Sequence, residues 1–156
     1  MIGNSFDPTK GEFRLANSPF YLIAHADFRY HAEMEEVMAK RGVTKTIYRI
    51  LTVLRETRCS SVTELSEIAL TKRATVSRVV DRMVKSGLVS TAPMPTDNRV
   101  TEVRLTDKGR EVLDELTPIV KRQLERALTD IPEAELQRFI GTLQAICSNL
   151  SKSHLE

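Results

Sequence analysis

The chain has 156 residues, 41% of them hydrophobic and 28% charged, and a formal net charge of +2, the balance expected of one soluble domain with appendages. No apolar run approaches membrane-spanning length, and the N-terminus lacks a basic segment followed by an apolar one, so a cytoplasmic home is expected. Cys59 and Cys147 are too few for a disulfide framework and lack metal-ligand spacing, and each reads as a small buried or half-buried thiol.

Residues 1–17 are polar and turn-rich and read as an N-terminal arm. Ser18-Pro19 then supplies a helix start, with Ser as cap and Pro at the first position, where its missing N–H costs nothing. This helix should run to about Arg41 and end at Gly42. It carries Phe20-Tyr-Leu-Ile-Ala-His-Ala-Asp-Phe-Arg-Tyr-His31, rich in aromatics for a chain that is only 5% aromatic. Tyr21, His25 and Arg29, with Phe28 beside them, follow helical spacing on one face. Two readings of that face stand. Facing a cleft, it offers an aromatic wall, an imidazole and a guanidinium, a set that suits an aromatic carboxylate. Facing a second subunit, Tyr21 and Phe28 are dimer core while His25 and Arg29 pair with partner carboxylates.

Thr44 should cap a second helix with a core stripe of Ile47, Ile50, Leu51 and Leu54. Ser61 and Glu64 have the spacing of a reciprocal capping box, so a third helix should start at Val62. Leu70-Thr71 then makes a short connection, with Thr71 as the cap of a fourth helix. From Lys72 on, Val76, Val79, Val80, Met83 and Val84 form a stripe of helical period, and Gly87 sits at a left-handed C-cap. Lys72, Arg73, Thr75, Ser77, Arg78 and Arg82 lie mostly off that stripe. Short hydroxyls and long cations, rather than a Glu/Lys mixture, suit the N-terminal half of a helix laid in a major groove. The same composition also fits an ordinary solvated face.

Leu88–Ala92 is β-prone, the Pro-containing loop 93–98 breaks it, and Arg99–Leu105 alternates as a strand does. A hairpin directly after such a helix is a wing. Residues 61–106 therefore resemble the winged helix-turn-helix of the MarR family of bacterial transcriptional regulators. The resemblance rests on Thr75-Val-Ser-Arg78, Val80-Asp-Arg-Met83, Gly87-Leu-Val89, Asp97-x-Arg99 and Leu105-Thr106. In that family the wing arginine enters the minor groove and the aspartate orients its guanidinium, which implies those roles for Arg99 and Asp97. The resemblance also implies an effector pocket near the first helix that takes aromatic acids or their CoA thioesters. The family's peroxide sensors keep a reactive cysteine near the first helix, and this chain has none there.

Thr106 reads as the N-cap of a long helix whose first turn carries Asp107. Val112, Leu113, Leu116, Ile119, Val120, Leu124 and Leu128 keep helical spacing across Pro118, which should kink the helix without ending it. Pro132 opens a last helix bearing Leu136, Phe139, Ile140, Leu143, Ile146 and Leu150. These apolar faces exceed what a small reading head can cover, and the surplus should meet a twin. Two recognition helices about 34 Å apart would read a pseudo-palindrome.

Between Thr71 and Arg110 nine cations oppose four anions, a local +5 that leaves −3 for the rest of the chain. Such a basic block is the footprint of a phosphate-contacting surface.

The expected fold is thus mainly α with a small β-hairpin wing: an arm (1–17), dimerisation helices (18–42 and 107–150) and a winged helix-turn-helix (43–106). The expected function is a ligand-responsive regulator, a repressor, that binds double-stranded operator DNA as a homodimer and is released by a small aromatic carboxylate or its CoA thioester. A winged helix that grips an acidic protein partner, or a redox-responsive regulator working through Cys59 or Cys147, are the alternatives. An enzyme is not expected: there is no Gly-rich phosphate loop and no Ser/His/Asp order. No cofactor or metal is expected either, since His25, His31 and His154 do not make a zinc motif, and His25 and His31 project about 120° apart on a helix.

Overall fold

The computed structural model describes residue 3 and residues 5–94 and 97–152, without the side chains of Asp97, Asn98 and Lys152. It consists of six α-helices and a three-stranded antiparallel sheet, in the order α1 (Pro19–Ala39), α2 (Lys45–Thr57), β1 (Cys59–Ser61), α3 (Val62–Ile68), α4 (Arg73–Lys85), β2 (Val89–Met94), β3 (Asp97–Leu105), α5 (Asp107–Ala127) and α6 (Glu133–Lys152). The chain falls into two compact units, Met1–Lys121 and Arg122–Glu156, and α5 runs from the first into the second. The described part of the arm holds turns and a single 3₁₀ turn, Leu15–Asn17, with no buried residue.

The first unit is built on one core. Met34 and Met38 of α1, Ile47, Ile50, Leu51 and Leu54 of α2, Leu65 of α3, Val76, Val79, Val80 and Met83 of α4, Val103 and Leu105 of β3, and Leu113 and Leu116 of α5 are all buried in it. The helical stripes expected for α2 and α4 are therefore the buried faces, except that Val84 is exposed. Several punctuation signals also act as expected. Thr44 accepts a hydrogen bond from the Ile47 N–H, and the Ser61/Glu64 box is complete in both directions. Gly42 and Gly87 take positive φ values of 66° and 74° at helix ends.

Two expected caps are absent. Ser18 makes no side-chain cap bond, and α4 starts at Arg73 behind Lys72, which makes none either, so Thr71 does not cap α4. The energies explain why this is tolerated. A missing cap costs about 1 kcal/mol, whereas burying four apolar side chains of α4 contributes on the order of 6–12 kcal/mol before entropy is counted. Packing, not capping, holds this helix.

The sheet differs from a plain hairpin. Its order is β1-β3-β2, with Cys59 opposite Arg104 and Ser61 opposite Glu102. The turn between β2 and β3 is shorter than the expected loop 93–98, because β2 continues to Met94 and β3 begins at Asp97, with an irregularity between Pro93 and Met94. Pro93 is accommodated because β2 is an edge strand, where a missing N–H removes no ladder bond from a neighbour.

The junction between wing and α5 is close-packed. Thr106 Oγ1 accepts from the Gly109 N–H at 3.1 Å, as an N-cap should, and donates to the Gly87 carbonyl at 2.6 Å. Gly109 is buried, and a Cβ there would lie 2.1 Å from the Leu88 carbonyl oxygen. Gly109→Ala is expected to destabilise the chain by about 3 kcal/mol through overpacking against backbone. Gly141→Ala, at a helical position with nothing within 4 Å of the added carbon, is expected to be neutral or to stabilise by about 0.5–1 kcal/mol. Urea unfolding of both variants measures the difference; equal midpoints would show that the α5 junction is not tight.

Candidate functional site

With one face of α4 locked into the core, its other face is fixed in direction. Lys72, Arg73, Thr75, Ser77, Arg78 and Arg82 are all exposed. Arg78 and Arg82 are one turn apart, as are Arg73 and Ser77, so helical geometry groups them on the outer side. Lys85 extends the row by a further turn and is also exposed. The wing brings a second contribution: Arg99 lies on β3, two residues from the turn, and is exposed. The backbone of Asp97 starts β3, while its side chain, and all of His154, lie outside the described residues.

Behind the wing tip, β3 carries a polar cluster that the sequence reading missed. Glu102 is only 5% exposed. Arg104 Nη2 donates to both of its carboxylate oxygens, at 2.9 and 3.0 Å. The Cys59 thiol, on the neighbouring strand β1, donates to the same carboxylate. These two hydrogen bonds, the one from Cys59 first, hold the Glu102 carboxyl below the usual carboxylate range. The same contact pushes the Cys59 thiol up, because ionising the sulfur would set two anions against each other. Cys147 is exposed and unbridged.

A cavity of about 590 Å³ lies along α1 and the α1–α2 turn. Phe28, His31, Met38 and Val43 line it, together with the pair Asp27 and Lys45. Lys45 Nζ donates to Asp27 Oδ2, which is the main reason the Asp27 carboxyl titrates below its ordinary value. His31 Nδ1 lies 3.2 Å from the other Asp27 oxygen. Of the four residues proposed from sequence to contact an effector, only Phe28 lines this cavity. Tyr21, His25 and Arg29 form a separate exposed row, in which the Arg29 Nε–H donates to His25 Nε2 at 3.3 Å and the Tyr21 and His25 rings lie 5.6 Å apart. The Asp27–His31 spacing was visible in the sequence as an i, i+4 pair. Lys45 was not, because its approach depends on how the chain turns at Gly42.

Among the described residues no group of His, Cys, Asp and Glu is arranged to hold a metal ion. No helix among them is long and apolar enough to cross a membrane.

Comparison with known proteins gives the same picture. The profile described as MarR family matches residues 43–101. The HTH-type transcriptional repressor IacR of Pseudomonas putida is 35% identical over 144 residues, covering 92% of this chain and 86% of that protein. A MarR-family transcriptional regulator from Silicibacter pomeroyi superposes with a TM-score of 0.82 at 27% identity, over 92% of this chain and 97% of that one. The Bordetella bronchiseptica protein BpsR, whose DNA binding is regulated by 6-hydroxynicotinic acid, superposes with a TM-score of 0.76 at 21% identity, over 92% of this chain and all of that one. The buried stripe and exposed cationic face of α4, the wing that follows it and these likenesses together identify the chain as a member of the MarR family of transcriptional regulators.

Proposed function

We propose that the chain represses transcription by binding a pseudo-palindromic operator as a homodimer in the cytoplasm, and that a small aromatic carboxylate or its CoA thioester releases it. The observation that carries this reading is the division of α4 into a buried apolar face and an exposed face of cations and hydroxyls. A rigidly held helix with that outer face suits base edges and phosphates. In this proposal Lys72, Arg73, Thr75, Ser77, Arg78 and Arg82 contact the major groove, and Arg99, oriented by Asp97, enters the minor groove.

The dimer is supported by apolar side chains that have no cover among the described residues. Phe28 of α1 is 69% exposed and Phe139 of α6 is 54% exposed, with Phe20, Leu22, Ile140 and Leu150 also in solvent. Exposed apolar surface of this extent marks an interaction site. The proposed dimerisation segments are 18–42 and 107–150, flanking a DNA-binding domain over 43–106, with 1–17 as an arm.

For the effector, the α1 cavity is the favoured place. The ring would lie against Phe28, and the carboxylate would compete with Asp27 for Lys45 while His31 donates a further hydrogen bond. The BpsR likeness supports an effector of this class, since the 6-hydroxynicotinic acid that regulates DNA binding by that protein is itself an aromatic carboxylic acid. The row Tyr21, His25 and Arg29 is a second seat for such an acid, favoured by the guanidinium that His25 holds in place.

Arg99→Ala should weaken operator binding by about 1–3 kcal/mol and flatten the dependence of affinity on salt by about one unit of slope. Fluorescence anisotropy over a salt series measures both. Unchanged affinity would instead favour a winged helix that binds an acidic protein. Titrating aromatic acids into the protein–operator complex should loosen it, and Lys45→Ala should abolish the response. Loss of response in Arg29→Ala, with Lys45→Ala still responsive, would move the effector to the exposed row.

The redox alternative is disfavoured at Cys59, because a thiol that donates to a carboxylate is a poor nucleophile. Iodoacetamide labelling followed by mass spectrometry should modify Cys59 far more slowly in the folded protein than after unfolding in urea. Labelling of Cys59 at least as fast in the folded protein would restore the redox reading.

A further inference from the structure

A second cavity, of about 390 Å³, opens at the joint of α2, β3 and α5, and four of its six lining residues are arginines: Arg55, Arg58, Arg104 and Arg110. The other two, Leu54 and Leu105, are buried and belong to the hydrophobic core. We propose that this cavity binds a small polyanion carrying two or more phosphate groups, at a site separate from the DNA-binding edge.

The first argument is charge. Arg104 is matched by Glu102 and Arg110 by Asp107, while Arg55 reaches only the neutral Thr117 hydroxyl and Arg58 makes no ion pair or hydrogen bond with a described residue. Two of the four guanidiniums are thus without an ion-pair partner among the described residues, which favours a ligand with at least two negative charges. Guanidinium forks pair with phosphate oxygens two at a time, and an apolar floor strengthens such pairs by lowering the local dielectric. The volume lies within the range of roughly 300–1,000 Å³ that small-molecule sites occupy.

The second argument is that ordinary helix electrostatics does not explain the arrangement. Arg55 and Arg58 stand at the C-terminal end of α2, where the macrodipole favours cations. Arg110 stands at the end of the first turn of α5, where the dipole disfavours them. Arg58 also holds a left-handed backbone, φ +68° and ψ −38°, in a region where glycine is at ease and arginine is not. A bound polyanion would place negative charge among four like-charged side chains that neither helix end accounts for.

The third argument separates this site from the operator. Arg104 pairs with Cys59 at the base of the sheet, whereas Asp97 pairs with Met94 at the tip. The seven steps of strand from one to the other span about 23 Å. The wing tip and the arginine cavity are therefore at opposite ends of β3.

Isothermal titration of the full chain with sodium tripolyphosphate, at fixed physiological ionic strength, tests the assignment. One saturable site per chain is expected. The double variant Arg58→Gln/Arg110→Gln should weaken it at least about tenfold, while Arg78→Ala/Arg99→Ala on the DNA edge should leave it unchanged. All four side chains are exposed, and matching thermal midpoints check that both variants are folded. Absence of saturable binding at millimolar tripolyphosphate overturns the proposal, as does equal weakening by the two double variants, which would mean that the probe only samples general positive charge. Operator binding is measured separately, so failure here leaves the regulator reading standing.

Discussion

A single hydroxyl joins the two halves of the reading head. Thr106 Oγ1 takes the Gly109 N–H at the start of α5 and gives its own proton to the Gly87 carbonyl at the end of α4. Lys108 Nζ adds a bond to the Ser86 carbonyl in the same place, and the absence of a side chain at Gly109 lets α5 rest on the Leu88 backbone. These contacts satisfy the carbonyls that a helix C-terminus leaves without intrahelical partners. They also fix where α4 ends relative to where α5 begins. The direction of the cationic face follows from that constraint together with the buried stripe.

Much of this was legible in the sequence because it is local. The period of Val76, Val79, Val80 and Met83 gives a helix and its buried face, and Ser61 with Glu64 gives a helix start that the structure contains in full. What was not legible depends on partners distant in the chain. Strand β1 is the tripeptide Cys-Ser-Ser, with no apolar alternation; it exists because it pairs with β3 about forty residues later. The wing turn is shorter than Pro93 suggests, because a proline reads as a strand breaker in sequence and only the sheet order shows that β2 is an edge strand, where a residue without an N–H is tolerated. Thr71 looked like the cap of α4, but the turn before it takes a positive φ of 52° at Leu70 and carries the helix start on to Arg73.

The candidate sites divide in the same way. The exposed face of α4 is legible because five of its residues share one helix side and Lys72 stands directly before them. Of the residues that line the α1 cavity only Phe28 stands out in the sequence, because Lys45 comes to it around the Gly42 turn from another helix. The arginine cavity was invisible. Its four cations come from three elements, and in sequence each passes for an ordinary surface residue.

The packing of α4 also limits how any effector can act. Lifting this helix off its own core would forfeit the burial of four apolar side chains, on the order of 6–12 kcal/mol. A tenfold change in operator affinity needs only about 1.4 kcal/mol of differential binding. The cheaper route is therefore to leave the reading head intact and displace it as a body, or to shift the population between two placements of intact heads. In a two-headed assembly reading half-sites about one helical turn apart, a displacement that leaves every contact inside the first unit unchanged is enough to spoil the match. The α1 cavity, if it takes the proposed acid, would suit that task, because it lies beside the turn that leads from α1 to α2, and an acid that drew Lys45 away from Asp27 would act on that turn without touching α4.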